Sequence, residues 1–321
     1  MRSLSHSEAS LLYDCPAKHD FRYVGQLAGT PLESKEPPSP ILGEGRAWGR
    51  AVNAFGIAVG AGIADGQAYD LALAEIRSCM GDDEYRIAVL GRALWHYIST
   101  GDPLARTAVE IALTVDVGED EYLCYLDAFH EDQHGLWIVE DKWRYTLSSY
   151  EQVLLGRQVR WYAWAARECG REVTGYITEE RLARAPEMPK VNKNGAPSTD
   201  KRQYTTPGWY LEVCEAAGAE PDYELLDALT ARTWQARHRI FLSEREISEA
   251  GEQIASTLRL VKLYDAHEIG PVRNPHPSRC PSCEFRPICP NPDDDYIIES
   301  FYDRTVPKAE RAHADLRRTG H

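Results

Sequence analysis

Two short apolar segments, 122–129 and 136–139, are separated by a polar connector that contains one glycine. This pattern predicts a β-hairpin. Residues two apart along a strand share a face, so Glu140 and Lys142, at the end of the second strand, should point the same way. A hairpin can also place Asp127, near the end of the first strand, beside them. The sequence therefore predicts two carboxylates and one lysine clustered at the ends of buried strands.

Such a cluster is suited to metal-assisted chemistry on a phosphate. Mg²⁺ and Mn²⁺ prefer hard oxygen ligands, often one or two carboxylates with waters and a phosphate. Asp127 and Glu140 are the candidate ligands, and the main-chain carbonyl of Asp141 is a third. A metal lowers the pKa of its bound water, and Lys142 would orient that water or stabilise the transition state. Spacing alone leaves open an ordinary surface hairpin with a Glu–Lys pair.

Patterns elsewhere predict many helices and few further strands. Ser149 begins a capping box and a helix that runs to about Glu168, on which Gln158 and Tyr162 share a face. Further strands are expected at 106–117, 172–180 and 233–243. Further helices are expected at 3–24 (broken at Cys15-Pro16), 44–64, 67–99, 207–218, 222–231 and 243–268. This order predicts an α/β fold built on a small mixed sheet.

Three segments are predicted to lack regular structure or to be only partly helical. Residues 29–43 hold four prolines and should form a surface loop. Residues 182–206 are polar and basic, which is typical either of a solvated connector or of a flexible lid that contacts phosphate. The polar tail, 293–321, is expected to be loose or partly helical.

Composition narrows the class of protein. The net charge of −14 over 321 residues argues against a module that coats duplex DNA non-specifically. A nuclease is compatible with this charge, because its carboxylate site adds negative charge and a local basic groove is enough to bind DNA. The sequence contains no run of about 18 apolar residues, the length that a membrane-spanning helix needs. The first residues lack an apolar signal-peptide core, so a cytoplasmic location without a membrane partner is expected.

The eight cysteines fall into two groups. Cys280, Cys283 and Cys289 form a C-x2-C-x5-C cluster between prolines, a pattern typical of metal binding rather than packing. Cys15 stands near the other end of the chain, before Pro16. The remaining four are interpreted as small buried residues: Cys79, Cys124, Cys169 and Cys214.

The hairpin and the helix after it resemble the PD-(D/E)XK nuclease superfamily. Asp127…Glu140-x-Lys142 is followed by Gln158-x-x-x-Tyr162, and Leu126 stands where that family has a proline. The start, Leu4-Ser5-x-Ser7…Tyr13-x-Cys15-Pro16…Phe21-x-Tyr23, resembles the iron–sulfur branch of the superfamily. That branch holds the CRISPR-associated adaptation exonucleases and the RecB-like nuclease domains.

The resemblance implies a restriction-endonuclease-like core with a helical insertion and an iron–sulfur cluster loop, in one domain over 1–292. It implies a 4Fe–4S cluster held by one cysteine near the start of the chain and three near its end: Cys15, Cys280, Cys283 and Cys289. Zinc held by four thiolates is the alternative. Either group would pin the two ends of the domain together.

The resemblance also implies a Mg²⁺- or Mn²⁺-dependent DNA exonuclease. It would act on single-stranded DNA or duplex ends in recombination, repair or replication, in a phage or in CRISPR adaptation. Gln158 and Tyr162 would position DNA or the attacking water; their other interpretation is ordinary helix packing. No G-x-x-x-x-G-K-[ST] motif is present, so the chain works alone or with a helicase or recombination partner. The alternatives are a non-catalytic DNA-binding or scaffold protein and an RNA-directed nuclease.

One departure from the branch concerns the metal ligands. The branch has a histidine in a G-x-x-x-H context on a helix before the sheet, and Asn53 stands at that position here. Glu110 is another candidate ligand. The histidines at 96, 130 and 134 are expected at the surface. Phosphate contacts are expected from six basic residues: Arg157, Arg160, Lys190, Lys193, Lys201 and Arg202.

Overall fold

A computed structural model of the chain describes residues 1–29 and 40–304. Its centre is a mixed sheet of six strands. These are β1 (Ser3–Ser5), β3 (Ala108–Val117), β4 (Asp120–Asp132), β5 (Gly135–Arg144), β6 (Val173–Leu182) and β7 (Gln235–Phe241). A separate pair joins β2 (Leu27–Gly29) to β8 (Tyr302–Arg304). The predicted α/β fold with a small mixed sheet flanked by helices is confirmed.

Eleven α-helices are present in the described part of the chain. They are α1 (His6–Asp14), α2 (Pro16–His19), α3 (Pro40–Gly60), α4 (Asp65–Met80), α5 (Glu84–Thr100), α6 (Tyr150–Leu154), α7 (Gln158–Glu168), α8 (Pro207–Ala216), α9 (Tyr223–Thr230), α10 (Glu244–Asp265) and α11 (Asp295–Phe301). Asp20–Val24 form a π-helical turn and Cys280–Ser282 a 3₁₀ turn. Within these ranges, no helix has the length and apolar character that a membrane crossing requires.

Strand β4 organises the sheet, because both of its edges are used. One edge pairs antiparallel with β3 along almost its whole length. The other edge pairs first with β1, up to Leu123, and then with β5, from Ala128 onward. Past Val139, β5 leaves β4 and continues beside β6 in parallel. The last pair between β4 and β5 is Ala128 with Val139. Asp127 and Glu140 lie directly beyond this pair, at the point where the two strands of the predicted hairpin separate.

The two faces of the sheet carry different cores. Ile138 and Tyr176 belong to the core that includes α7 and α10, and we call this side the α7 face. Trp137 and Val139 point to the opposite side, where α3 crosses the sheet, and we call it the α3 face. Trp143 continues that side and packs against the helical core formed by α3, α4 and α5. Alternation along β5 therefore sends consecutive residues into two separate environments.

Several predicted elements differ in their bounds. The helix expected over 67–99 is two helices, because the Asp83 side chain caps a new one after a turn at Gly81, which has φ +59°. The helix expected from Ser149 ends at Leu154, and α7 starts again at Gln158. Strands β1, β2 and β8 were missed, because three residues are too few to show a period.

The segments predicted to be irregular behave differently from one another. Most of 29–43 lies outside the described residues, and α3 already begins at Pro40. Residues 183–206 connect β6 to α8, and within them Gln203 and Thr205 are buried. In the tail, β8 pairs with β2, and Tyr302 is buried against Phe285. The rest of the tail, 305–321, is not among the described residues.

Candidate active site

Asp127 lies at a discontinuity in the sheet. The β3–β4 ladder pairs Val109 with Ala128 and Ile111 with Leu126, but it skips Glu110 and Asp127. Glu110 has a φ of +50°, a left-handed conformation that costs energy in a residue other than glycine. This interruption leaves Asp127 without regular pairing to β3, and its carboxylate interacts instead with the main chain of β5. Glu110 itself is exposed.

Asp127 and Glu140 form a buried acidic pair. The Asp127 Oδ2 atom accepts a hydrogen bond of 2.9 Å from the main-chain N–H of Asp141. Burial, and next the neighbouring Glu140 carboxylate, raise the pKa of Asp127 to about 7. The Glu140 side chain is 5% exposed, and its Oε2 atom is buried without a hydrogen-bond partner among the described residues. The site therefore holds more negative charge than its protein contacts neutralise.

Lys142 joins this pair to helix α7. Its Nζ atom donates to Glu140 Oε1 and, at 3.5 Å, to Gln158 Oε1. Gln158 in turn donates to the Tyr162 hydroxyl at 2.9 Å. Burial alone would lower the pKa of Lys142, but Glu140 and Asp127 raise it, so the ammonium form is held. The structure thus joins the pair at the end of β5, Glu140 and Lys142, to the pair on α7, Gln158 and Tyr162.

Asn53 also reaches the site, from helix α3. Its Nδ2 atom donates to the main-chain carbonyl of Asp127 at 3.3 Å. Its Oδ1 atom is buried and has no hydrogen-bond partner among the described residues. A buried carbonyl oxygen without a partner is costly unless another group satisfies it. The position expected to hold a histidine therefore does lie at the site.

The Asp141 side chain points to the other face of the sheet. Arg106 binds it with two hydrogen bonds, of 2.8 and 2.9 Å, and also contacts Glu179 at 3.4 Å. Burial disfavours the charge on Arg106, but Asp141 and Glu179 raise the pKa of the guanidinium above its ordinary value. Only the main chain of Asp141 therefore faces the site. Its carboxylate stabilises β5 from the opposite face through the ion pair with Arg106.

Arg106 fits because Gly56 of α3 has no side chain. A Cβ atom on Gly56 would lie 2.5 Å from Arg106 Cγ and 2.7 Å from the carbonyl oxygen of Leu104. This close approach lets α3 lie against the sheet and carry Asn53 to Asp127. Sequence reasoning missed Arg106, and the glycines of α3 were the only sign of a close contact.

His6 is a second residue that sequence reasoning missed. Its ring lies edge-on to Tyr162, with the ring centroids 5.8 Å apart. Burial, and next the positive charges of Arg157 and Lys142, lower the pKa of His6 to about 4. Its Nδ1 atom is buried without a partner among the described residues. The neutral imidazole therefore borders the lysine side of the site.

The other candidates are placed as follows. His134 is exposed as predicted, but His96 is buried against Trp234, so its prediction was wrong. Lys201 and Arg202 pair with acidic side chains and are less available to phosphate. The remaining basic candidates are exposed or half-buried: Arg157, Arg160, Lys190 and Lys193.

The donor set fits a hard divalent cation. Asp127 and Glu140 lie near each other, and Asn53 binds the main chain of Asp127. Glu140 Oε2 and Asn53 Oδ1 have no hydrogen-bond partner in the described structure. No group of three or more His, Cys, Asp or Glu residues within the described ranges is arranged to hold a metal ion. Two carboxylates are the number of protein ligands that Mg²⁺ often has, because waters and a substrate phosphate supply its other ligands.

The four cysteines of interest meet at one cavity. Cys15, between α1 and α2, and the three cysteines of the C-x2-C-x5-C cluster line a space of about 200 Å³ together with Phe21 and Phe285. Burial, with a contribution from the other three thiols, raises the pKa of Cys289. Ala17 N–H donates to the Val272 carbonyl at 3.1 Å, which ties the two chain ends together.

Comparison with known proteins gives one family. A sequence model of the PD-(D/E)XK nuclease superfamily matches residues 3–290. Proteins of this superfamily use divalent metals such as Mg²⁺ or Mn²⁺. No curated protein sequence matches the chain.

Proposed function

The chain belongs to the PD-(D/E)XK nuclease superfamily, and we propose that it is a metal-dependent deoxyribonuclease that degrades DNA from single-stranded or free ends. The observation that supports this most is the convergence of Asp127, Glu140 and Lys142, with Gln158 bound to the lysine. The restriction-endonuclease-like fold agrees with it.

Each residue has a role that its surroundings support. Asp127 and Glu140 hold the divalent metal, with Asn53 Oδ1 and the Asp141 carbonyl as further oxygen donors. The metal lowers the pKa of a bound water and screens the phosphate. Lys142 places a fixed positive charge beside the developing charge on the phosphate. Gln158 and Tyr162 hold the ammonium group in position, and Lys142 keeps its proton because Glu140 is beside it.

We also propose that Cys15, Cys280, Cys283 and Cys289 bind a 4Fe–4S cluster. A zinc ion held by four thiolates at about 2.3 Å would draw the sulfur atoms to within about 4 Å of one another. The four cysteines line one cavity of about 200 Å³, a volume compatible with a group larger than a single ion. The cluster would join the first helices to the segment after α10.

The cluster proposal is tested by anaerobic purification with iron, sulfide and zinc analysis. Iron and sulfide in equal amounts, with a broad visible absorption band that Cys283→Ser removes, support it. Cys79→Ser, on α4, is the matched control and should keep the band. Stoichiometric zinc without iron overturns the cluster and leaves the nuclease proposal standing.

We further propose that the nuclease acts in DNA recombination, repair or replication, together with a helicase or recombination partner. Placement in the iron–sulfur branch, and with it a CRISPR-adaptation or phage role, is supported by the cysteine pattern and by the motif that runs from Leu4 to Tyr23. The presence of Asn53 in place of a histidine favours one competing function, a DNA-binding scaffold with impaired catalysis.

The nuclease proposal is tested with linear and circular single-stranded DNA in Mn²⁺. We expect the linear strand to be degraded, the circle to survive, and Lys142→Ala to be inactive. Arg245→Ala, which removes an arginine that is 87% exposed at the start of α10, is the matched control. Absence of cleavage by the wild-type protein overturns the enzymatic proposal in favour of the scaffold. Cleavage of the circle overturns the requirement for ends.

A further inference from the structure

A groove of about 310 Å³ opens at the carboxyl ends of β5 and β6, the edge of the sheet that carries Glu140 and Lys142. Two tyrosines that line it are largely exposed: Tyr85 on α5 and Tyr145 just after β5, with 76% and 77% of their surface in contact with solvent. Large exposed rings facing one groove serve binding more readily than stability.

The groove carries positive charge that the protein does not neutralise. Arg184 lies over the Tyr204 ring at 3.5 Å, and Arg92 donates to the Pro186 carbonyl at 3.3 Å. Neither guanidinium pairs with a carboxylate in the part of the chain that the structure describes. Arg232 covers the same Tyr204 ring at 4.7 Å, and its hydrogen bonds go to main-chain carbonyls. In a chain of net charge −14, this local excess of arginine is unusual.

Two acidic residues, Glu44 and Glu187, also line the groove. Glu44 accepts a hydrogen bond from Trp143 Nε1 at 3.2 Å and pairs with Arg86, so its charge is largely met. Glu187 is exposed. With Glu44 paired to Arg86, the two arginines of the lining face one remaining acidic residue, Glu187, so a small positive charge is left. Positive charge beside flat aromatic surfaces is the combination that proteins use to hold single-stranded nucleic acid.

The position of the groove relates it to the active site. Tyr145 follows Lys142 by three residues, so their Cα atoms are at most about 10 Å apart along the chain. A stacked strand advances about 3.4 Å per nucleotide, so this span corresponds to about three nucleotides. A strand whose phosphate lies at Lys142 would pass the end of β5 to enter the groove.

We propose that this groove binds the single-stranded DNA segment next to the scissile phosphate. Bases stack on Tyr85 and Tyr145, and phosphates contact Arg92 and Arg184. The inference rests on the proposed nuclease function for its substrate. It adds a preference for single strands over duplex, because the paired bases of a duplex offer no free face for stacking.

The test is fluorescence anisotropy with a labelled 12-nucleotide single strand and a blunt duplex of the same sequence, in chelator so that nothing is cut. Tyr145→Ala and Tyr85→Ala should each weaken single-strand binding by roughly five- to hundredfold. Tyr145→Phe keeps the ring and should bind as the wild type does. Tyr296→Ala, a substitution at a tyrosine that is also 77% exposed but does not line the groove, is the matched control.

The outcomes separate the groove from the nuclease. If the alanine variants bind as tightly as the wild type, or if duplex binding falls as much as single-strand binding, the groove proposal is overturned, whether or not the wild type cuts DNA. If the alanine variants lose single-strand binding alone, the proposal stands, even if the wild type cuts nothing. Unchanged melting temperatures of the variants check that the fold is intact.

Discussion

Replacing Asp127 by asparagine should stabilise the metal-free protein at pH 8 while it abolishes nuclease activity. Burial and Glu140 raise the pKa of Asp127 from 3.8 to about 7, whereas the unfolded chain loses this proton near pH 4. Between these values the folded state binds more protons than the unfolded state, so stability falls as pH rises. Asparagine carries no charge and removes this loss.

The size of the effect follows from the shift. About three pKa units at 1.36 kcal/mol each give a ceiling of about 4 kcal/mol. Asp127 is only partly buried, and solvent screens part of the repulsion, so we expect about 2 kcal/mol. The asparagine Oδ1 atom can still accept the hydrogen bond from the Asp141 N–H. A gain of this size raises the Tm by about 4 °C in a chain of this length.

The assay is thermal unfolding in chelator at pH 5, 6, 7 and 8. The Tm difference between Asp127→Asn and the wild type should grow from pH 5 to 7 and then level off. Asp116→Asn, at an exposed position on β3, is the control and should leave the Tm unchanged. A variant less stable than the wild type at pH 8, or a gain that does not depend on pH, would refute the reasoning.

Three further predictions concern the residues around the metal. Arg106→Met leaves the buried carboxylate of Asp141 without its partner and should lower the free energy of unfolding by about 3 kcal/mol or more in urea; Arg50→Met, at a half-exposed ion pair, should cost less than about 1 kcal/mol. The affinity for Mn²⁺, measured by calorimetry, should fall about tenfold from pH 8 to pH 6, because a proton with a pKa of about 7 must leave Asp127; an affinity independent of pH contradicts this. Asn53→Ala should weaken Mn²⁺ binding several-fold and Asn53→His should restore it, whereas equal affinities in all three proteins would show that Asn53 is no ligand.

The parts of the site that the sequence predicted are those set by short-range periodicity. Alternation along a strand puts Glu140 and Lys142 on one side, and the structure has them in contact. A spacing of four on a helix puts Gln158 beside Tyr162, and they are hydrogen-bonded. These rules need no knowledge of the rest of the fold.

The parts that were missed depend on pairing between distant segments. The interruption of the β3–β4 ladder at Glu110 and Asp127 has no local signal, because Glu110, with its positive φ, is neither glycine nor asparagine. Arg106 reaches Asp141 only because β3 and β5 flank β4, and Gly56 leaves room for it. In the sequence alone, a single arginine at the start of a strand cannot be distinguished from an exposed surface arginine.

The cysteine cavity is an intermediate case. The C-x2-C-x5-C spacing indicated a bound group, but nothing local linked it to Cys15, which lies 265 residues before Cys280. The family resemblance supplied that link as an expectation. The structure brings all four thiols to one cavity, next to the unpredicted pairing of β2 with β8. The identity of the bound group stays a prediction.

The central claim, that Asp127 and Glu140 hold a metal that Lys142 needs for cleavage, is tested most directly by measuring Mn²⁺ binding and DNA cleavage on the same samples. Electron paramagnetic resonance counts bound Mn²⁺, and release of labelled nucleotides reports cleavage. Asp127→Asn should lose both, whereas Lys142→Ala should keep Mn²⁺ and lose cleavage. Undiminished cleavage by either variant, or full Mn²⁺ binding by Asp127→Asn, would contradict the account.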